Sequence, residues 1–142
     1  MAPDSLADIH AIQNLKHDYC ARVDAGATEA LFELFTDDAT IGYGDGRDDE
    51  YTGAEEVREW CEAVPGANRA AHLAVCPRID VGDDEATGRW KYTVFLDWGD
   101  DIELGVGQYR EAYRREDGRW RITRRIADRT ITANLGPAVE PR

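Results

Sequence analysis

The chain has 142 residues, 42% of them hydrophobic and 32% charged, a composition typical of one folded domain with a single core and not of a disordered chain. Its 29 acidic residues against 17 basic ones give a formal net charge of -12, which repels nucleic acid phosphates and anionic lipid surfaces. We therefore expect neither nucleic acid nor a membrane as a partner.

Helical patterns dominate the first half of the chain, and they predict helices at residues 6–24, 28–36 and 53–63. The first helix is amphipathic, with one apolar stripe, and Gly26 ends it. The second is expected to stop at the acidic pair Asp37 and Asp38. A short strand is predicted after that pair, at ATIGYG.

From residue 69 onward the apolar period becomes that of a strand, and four strands joined by short Asp/Gly turns are predicted, at residues 69–81, 85–99, 101–116 and 118–132. In the second strand, one covered face is formed by Trp90, Tyr92, Val94, Leu96 and Trp98. Helices followed by a meander predict an α+β fold. We expect a cone-shaped, curved antiparallel or mixed sheet that wraps the three helices around a small-molecule cavity.

One domain is expected over residues 1–142, with its core at 5–132 and a loose tail at 133–142 that contains two prolines. The three cysteines lack the spacing of a disulfide framework or a zinc site, so no metal is expected. The chain shows neither a signal pattern nor an apolar run of the ~18 residues that a membrane span needs, which predicts a cytoplasmic protein. Because WKYTVFLDW presents aromatic surface, we expect a homo-oligomer, a dimer or a trimer.

The chain has three histidines, and each is a candidate for acid–base chemistry. His10 and His17 share a side of the first helix but lie about 10 Å apart along its axis, too far to hold one metal, so surface positions are expected. His72 lies among small and apolar residues in RAAHLAV, and its imidazole therefore needs a partner. If that partner is a backbone carbonyl, His72 is a structural residue. If it is a carboxylate, the carboxylate holds one ring nitrogen and leaves the other as a base or acid near neutral pH.

Asp24 ends the first helix, where the helix dipole opposes a negative charge. An aspartate at that position needs a compensating partner, and we expect its carboxylate within ~2.6–3.2 Å of a ring nitrogen of His72. Tyr19 and Tyr43 are either packed core tyrosines or, if they face the same cavity, hydrogen-bond donors to a developing oxyanion.

Three arginines lie in the segment RRIADR of the last predicted strand. Arg124 and Arg125 are expected on its solvated outer face. Arg129 is expected near the cavity mouth, where it either contacts an acidic substrate or is solvated.

Several segments resemble the SnoaL-like branch of the nuclear transport factor two-like superfamily: LKHDYCARVDAGATEALFELFTDDATIGYG, GAEEVREW, HLAV and YRREDGRWRITRR. The resemblance covers residues 5–132 and implies the same cone-shaped fold. Within that branch, Tyr19, Asp24, Tyr43 and His72 match the active-site set of the bile acid dehydratases in order and nearly in spacing, and the last three also match scytalone dehydratase. The resemblance therefore implies loss of water next to a carbonyl, without metal or organic cofactor.

The chain departs from these enzymes at several positions. Val23 stands where scytalone dehydratase has a further tyrosine. The second active-site histidine of scytalone dehydratase corresponds to a position near Gly105 or Val106. With Arg129, we take Val23 and Val106 as candidate substrate-binding residues. Ketosteroid isomerases share the fold, but their carboxylate base falls at Tyr43, so isomerisation by their route lacks its base.

The sequence thus predicts a cofactor-independent lyase, or a related proton-transfer enzyme, that acts next to a carbonyl on a small hydrophobic cyclic or polyketide-like molecule. His72 would move the proton, Asp24 would hold its tautomer, and Tyr19 and Tyr43 would bond the carbonyl oxygen. Two other classes stay open, because one fold hosts many functions. A non-catalytic ligand-binding protein would not need contact between Asp24 and His72, and an assembly subunit would expose a large apolar sheet face.

Overall fold

In the part of the chain that the structure describes, three helices and six strands follow one another in the order that the sequence predicts, with one additional short strand. The computed structural model describes residues 3–44 and 49–140. The helices are α1 (Pro3–Ala25), α2 (Thr28–Phe32) and α3 (Ala54–Ala63). The strands are β1 (Phe35–Tyr43), β2 (Glu50–Thr52), β3 (Arg69–Val81), β4 (Glu85–Asp97), β5 (Ile102–Glu116) and β6 (Arg119–Asn134).

All six strands form one sheet in the order β2-β1-β6-β5-β4-β3. The meander β3 to β6 is antiparallel throughout, as predicted, whereas β1 pairs in parallel with β6 and so makes the sheet mixed. The predicted α+β fold, with three helices against a curved open sheet, is therefore confirmed.

The core lies between α1 and the concave face of the sheet. The apolar stripe of α1 supplies Ile12, Leu15, Tyr19 and Val23, each at most 7% exposed. The sheet supplies alternate residues of its strands, because side chains of a strand point to the two faces in turn. In β4 these are Trp90, Tyr92, Val94 and Leu96, all buried as predicted.

The predictions around residues 32–44 and at Trp98 are wrong in detail. The second helix ends at Phe32 instead of residue 36, and a strand begins at Phe35, which is buried and pairs with Ile122. The acidic pair after it occupies two exposed positions of this strand and does not mark its start. Trp98 lies beyond the end of β4 in a turn and is 46% exposed, so it does not continue the covered face.

Strand β6 contains two extra residues relative to β5. Ile122 pairs with Tyr113 and Arg124 pairs with Ala112, which leaves Thr123 unpaired as a β-bulge. A second irregularity leaves Thr130 unpaired, and its hydroxyl donates to the carbonyl of Val106. Each bulge changes which residues of β6 point inward, since a shift of one residue exchanges the two faces.

Residues 133–136 do not belong to the loose tail that the sequence predicts. Strand β6 continues to Asn134, and the next two residues still hydrogen-bond to the start of β5: the amide of Leu135 donates to the carbonyl of Ile102, and the amide of Gly136 donates to the Asp101 carboxylate.

None of the described helices is both long enough and apolar enough to cross a membrane.

Candidate active site

The hydrogen bond predicted between Asp24 and His72 is present. An oxygen of the Asp24 carboxylate lies 2.6 Å from Nδ1 of His72. The backbone N–H of His72 also donates to both carboxylate oxygens, at 3.1 and 3.0 Å. Because β3 is the edge strand of the sheet and α1 packs beside it, this amide has no neighbouring strand on that side, and Asp24 at the end of α1 satisfies it.

This contact determines the chemistry that His72 can perform. A carboxylate can only accept hydrogen bonds, so the proton of a neutral imidazole resides on Nδ1 and the lone pair on Nε2. The His72 side chain is 13% exposed and borders a cavity of about 310 Å³ between helices and sheet. The fold thus holds the His72 imidazole at the cavity wall with a carboxylate partner, an arrangement that is able to act as a general base.

Most of the residues that line the cavity have apolar or aromatic side chains, and polar atoms also form a large part of its wall. Its apolar and aromatic lining residues are Tyr19, Val23, Tyr43, Trp60, Val64, Pro65, Tyr92, Val94, Leu96, Trp98, Tyr109 and Ala127. The charged side chains on the wall are Glu103, Arg125 and Arg129. A small cavity with mostly apolar lining residues and a few converging polar groups is the usual constitution of a small-molecule site.

Both tyrosines proposed from the sequence lie on this wall, and each phenol oxygen accepts a hydrogen bond. Tyr43 accepts from Nε1 of Trp60 at 2.9 Å, and Tyr19 accepts from Nε of Arg125 at 3.0 Å. Burial raises the pKa of Tyr19 above its ordinary value, although the Arg125 charge opposes this. Tyr19 is therefore a neutral phenol near neutral pH, which can donate its proton in a hydrogen bond.

The prediction that Arg125 lies on the solvated outer face is wrong, whereas Arg124 is exposed as expected. The bulge at Thr123 turns Arg125 inward. In the backbone register of the two strands, Arg125 lies opposite Glu111 of β5. Arg125 is 4% exposed and borders the cavity. An arginine run has no feature that reveals such a bulge, so no signal in the sequence could have identified this residue.

A second buried cation, Lys16, contacts two tyrosines of the cavity wall. The Lys16 ammonium is 2.7 Å from a Glu111 carboxylate oxygen and stacks over the rings of Tyr19 and Tyr109, 3.8 and 3.5 Å from their centroids. The hydroxyl of Tyr113 donates to the other oxygen of Glu111 at 2.7 Å. Burial lowers the pKa of Lys16, and Glu111 opposes that shift.

The candidate substrate-binding residues separate in the structure. Val23 and Arg129 line the cavity, and Arg129 donates to Glu103 at 2.7 Å. Val106 does not line it, because Gly105 takes the inward position at this point of β5 and Val106 points to the opposite face. An added Cβ on Gly105 would lie 2.6 Å from Nε of Arg129, so the glycine leaves room for that guanidinium.

The other two histidines are exposed on α1, as expected. Within residues 3–44 and 49–140, no group of three His, Cys, Asp or Glu side chains is arranged to hold a metal ion. Sequence reasoning also missed Trp60 as a cavity residue. The helical spacing of the apolar residues in GAEEVREW marks the buried side of that helix and could have identified it.

The model of the SnoaL-like domain family matches residues 4–126 of the chain. Among curated protein sequences no significant match is found. A provisionally named scytalone dehydratase from Novosphingobium aromaticivorans has a similar structure, with a TM-score of 0.87, 22% identity and coverage of 100% of both chains.

Two further solved structures are similar. A hexachlorocyclohexane dehydrochlorinase from Novosphingobium barchaimii has a TM-score of 0.85 and 24% identity, over 97% of this chain and 98% of that one. A Mycobacterium tuberculosis protein of unknown function has a TM-score of 0.82 and 27% identity, over 92% of this chain and 77% of that one. At this level of identity the likeness establishes the fold.

Proposed function

The chain belongs to the SnoaL-like domain family of the nuclear transport factor two-like superfamily, and from this we propose that it is a cofactor-independent lyase. It removes a small leaving group next to a carbonyl from a small hydrophobic cyclic or polyketide-like molecule. The observation that carries the proposal is the 2.6 Å contact between Asp24 and Nδ1 of His72 at the wall of a cavity that mostly apolar and aromatic residues line. The names of two structural neighbours, a dehydratase and a dehydrochlorinase, also denote eliminations.

The reaction starts with proton transfer. Nε2 of His72 takes a proton from the carbon beside the carbonyl, and the electron pair of that C–H bond moves toward the carbonyl to give an enolate. Asp24 stabilises the imidazolium that forms, because its carboxylate accepts the proton on Nδ1 in a charge-assisted hydrogen bond. The enolate then expels the leaving group from the next carbon, and His72 returns its proton to a departing hydroxyl.

Hydrogen-bond donors on the cavity wall supply the remaining stabilisation. Tyr19 and Tyr43 donate to the carbonyl oxygen as it gains charge inside the protein, where such bonds are stronger than in bulk solvent. A placed acid or base and an oriented donor each contribute about 10²–10⁴-fold to the rate.

A binding protein of the same fold is the alternative. Such a protein would need the cavity but would have no use for a carboxylate that fixes the tautomer of a histidine. The contact between Asp24 and His72 therefore favours the enzyme.

The decisive experiment follows two reactions over a panel of cyclic β-hydroxy ketones and aromatic polyketides. Ultraviolet absorbance reports the conjugated product of elimination, and NMR in D₂O reports exchange of the proton beside the carbonyl in analogues that lack a leaving group. We expect His72→Gln to abolish both reactions while the protein remains folded. If no member of the panel reacts or exchanges, or if His72→Gln keeps wild-type rates, the lyase is excluded and the binding protein is favoured.

A further inference from the structure

A second depression borders His72, between α1 and the edge strand β3, and we call it the α1–β3 groove. Its volume is about 480 Å³, against about 310 Å³ for the cavity of the candidate active site. One wall is a single face of α1, formed by Gln13, Lys16, His17 and Cys20 at helical spacing. Among the described residues, His72 is the only one that borders both the groove and the cavity.

Strand β3 is irregular where it borders the groove. Cys76 and Pro77 together lie opposite the single residue Trp90 of β4, and such a β-bulge bends its strand. The φ angle of Cys76 is 53°, a left-handed conformation that is uncommon outside glycine. The core-facing residue before the bulge is Ala74, which pairs with Tyr92 and has only a methyl side chain. Strained backbone of this kind is concentrated at ligand-binding sites and switches.

The groove carries no uncompensated permanent charge in the part of the chain that the structure describes. Lys16 is the lining residue with such a charge, and its ammonium lies 2.7 Å from the Glu111 carboxylate, with both side chains at most 2% exposed. The amide of Gln13 and the imidazole of His17 are exposed and can form hydrogen bonds. Because an unpaired charge is costly to bring into such a site, a neutral ligand fits it best.

We propose that the α1–β3 groove is a second ligand site, for small neutral molecules with an apolar fused-ring body and one hydrogen-bonding group, and that its ligand slows the reaction by acting on His72. The helix wall from Gln13 to Cys20 is about 10 Å long at 1.5 Å per residue, which leaves room for two fused rings. The volume also lies within the range of small-molecule sites.

The shared residue explains how the two sites are coupled. The His72 imidazole gains a positive charge when it takes a proton, and its side chain is 13% exposed, so water stabilises part of that charge. A ligand in the groove that displaces this water disfavours the charged form, whereas the contact with Asp24 remains. The ligand should therefore lower turnover without competing with substrate for the cavity. Binding to the groove is independent of the proposed lyase function, and only the effect on turnover rests on it.

The experiment uses indole, a neutral fused-ring molecule with one N–H donor, as the probe. NMR titration follows the backbone amides of Gln13 and Ala74, which report on the groove, and the ring protons of His72. We expect shifts that saturate together at all three residues. Indole-3-carboxylate and tryptamine add a negative and a positive charge to the same ring system, and they should bind about tenfold or more weakly.

Two variants close the groove from opposite walls. Ala74→Leu fills it from β3, and Ala71→Leu is the matched control, an exposed alanine on the other face of the same strand. Gln13→Trp covers it from an exposed position of α1, and Asn14→Trp, at the next exposed position, is its control. Each groove variant should weaken indole binding about tenfold or more and remove the effect of indole on turnover, and each control should keep both.

Several outcomes overturn the proposal. The absence of saturable shifts at Gln13 and Ala74 does so, as do equal affinities for the three probes. If Ala74→Leu does not fold, Gln13→Trp decides, because a surface substitution leaves the core intact; wild-type affinity in that variant contradicts the site. Indole that fills the groove of an active enzyme without slowing it refutes the action on His72. A protein that binds indole as expected but catalyses no elimination refutes the lyase alone.

Discussion

The carboxylate of Asp24 contacts His72 in two ways: one oxygen is 2.6 Å from the ring nitrogen Nδ1, and both oxygens accept the backbone N–H. The ring contact fixes the imidazole tautomer, and the backbone contact joins the end of α1 to the edge of the sheet. Asparagine separates the two effects, because its oxygen can still accept the backbone N–H but it carries no charge.

Asp24→Asn should therefore fold normally and lose most of its activity. We expect a loss of stability of no more than about 1 kcal/mol, the net value of one hydrogen bond, and a drop in turnover of about 10²–10⁴-fold. Nitrogen-15 NMR of the His72 ring should show a single Nδ1–H tautomer in the wild type and a mixture in the variant. A variant with one unchanged tautomer would contradict the role given to Asp24.

Lys16→Met should destabilise the protein by about 3–5 kcal/mol, because it leaves the Glu111 carboxylate buried without its counter-ion. Adding Glu111→Gln should restore more than half of that loss while keeping an acceptor for Tyr113. Urea unfolding measures both effects. As a control, Arg58→Met breaks an exposed pair with Glu29 and should cost less than about 1 kcal/mol; equal losses at the two sites would contradict the prediction.

Acid should weaken the turn between β4 and β5 through Asp97. The amide of Gly99, with a contribution from Arg69, holds the pKa of this carboxyl below its ordinary 3.8. The stability that this provides is complete above pH 3.8 and is lost as the pH falls through the lowered pKa.

Asp97→Asn should therefore reduce the slope of unfolding free energy against pH below about pH 4, with Arg69→Met giving a smaller reduction. Urea unfolding between about pH 2.5 and 5 measures this slope. An unchanged slope in Asp97→Asn would show that other carboxyl groups account for the acid sensitivity.

Two glycines of β5 should respond differently to alanine. In Gly105→Ala the new Cβ would lie 2.6 Å from Nε of Arg129, at the far end of a flexible side chain that can move. In Gly107→Ala it would lie 2.0 Å from the backbone carbonyl oxygen of Asp128, which cannot move without distorting β6. We expect a loss below about 1 kcal/mol for the first and about 1–3 kcal/mol or more for the second by thermal unfolding. The reverse order would contradict the pairing of β5 with β6.

Self-association remains a proposal, and the outer face of the sheet is the surface that would mediate it. Leu73, Phe95 and Ile131 are 47%, 38% and 57% exposed on this face. Light scattering during gel filtration should give a mass of at least twice the 15.9 kDa of one chain, and Phe95→Glu should reduce it to one chain. Leu6→Glu, a change at an exposed apolar residue of α1, should leave the mass unchanged. A monomeric wild type would refute the proposal.

Much of the fold could be predicted because its signals are local. The stripe of α1 and the alternation of β4 are each visible within one element, and the meander strands were predicted to within two residues. The segment after Phe32 could not be assigned this way. Its residues favour a helix on their own, but burial of Phe35 and its pairing with Ile122, 87 positions further on, make it a strand.

In the candidate site too, local signals were predictable and the effects of strand pairing were not. The contact of Asp24 with His72 was predictable because a charge at a helix end and an imidazole in an apolar strand each lack a partner in the sequence. The inward position of Arg125 was not, since it depends on the extra residue of β6 in its pairing with β5. A bulge has no consistent composition, so strict alternation assigns the wrong face beyond it.

The unpaired residue at Thr123 also affects how relatives of this protein should be compared. Deleting it would place Ile122 next to Arg124, in register with Tyr113 and Ala112, and Arg125 would still point into the cavity. A homologue that lacks this residue would thus present the same side chains to its ligand. An alignment without a gap would nevertheless match each residue of RRIADR with the wrong residue of the homologue, one position away. The gap in such an alignment belongs at Thr123, where the chain can gain or lose a residue while the ligand-facing surface is conserved.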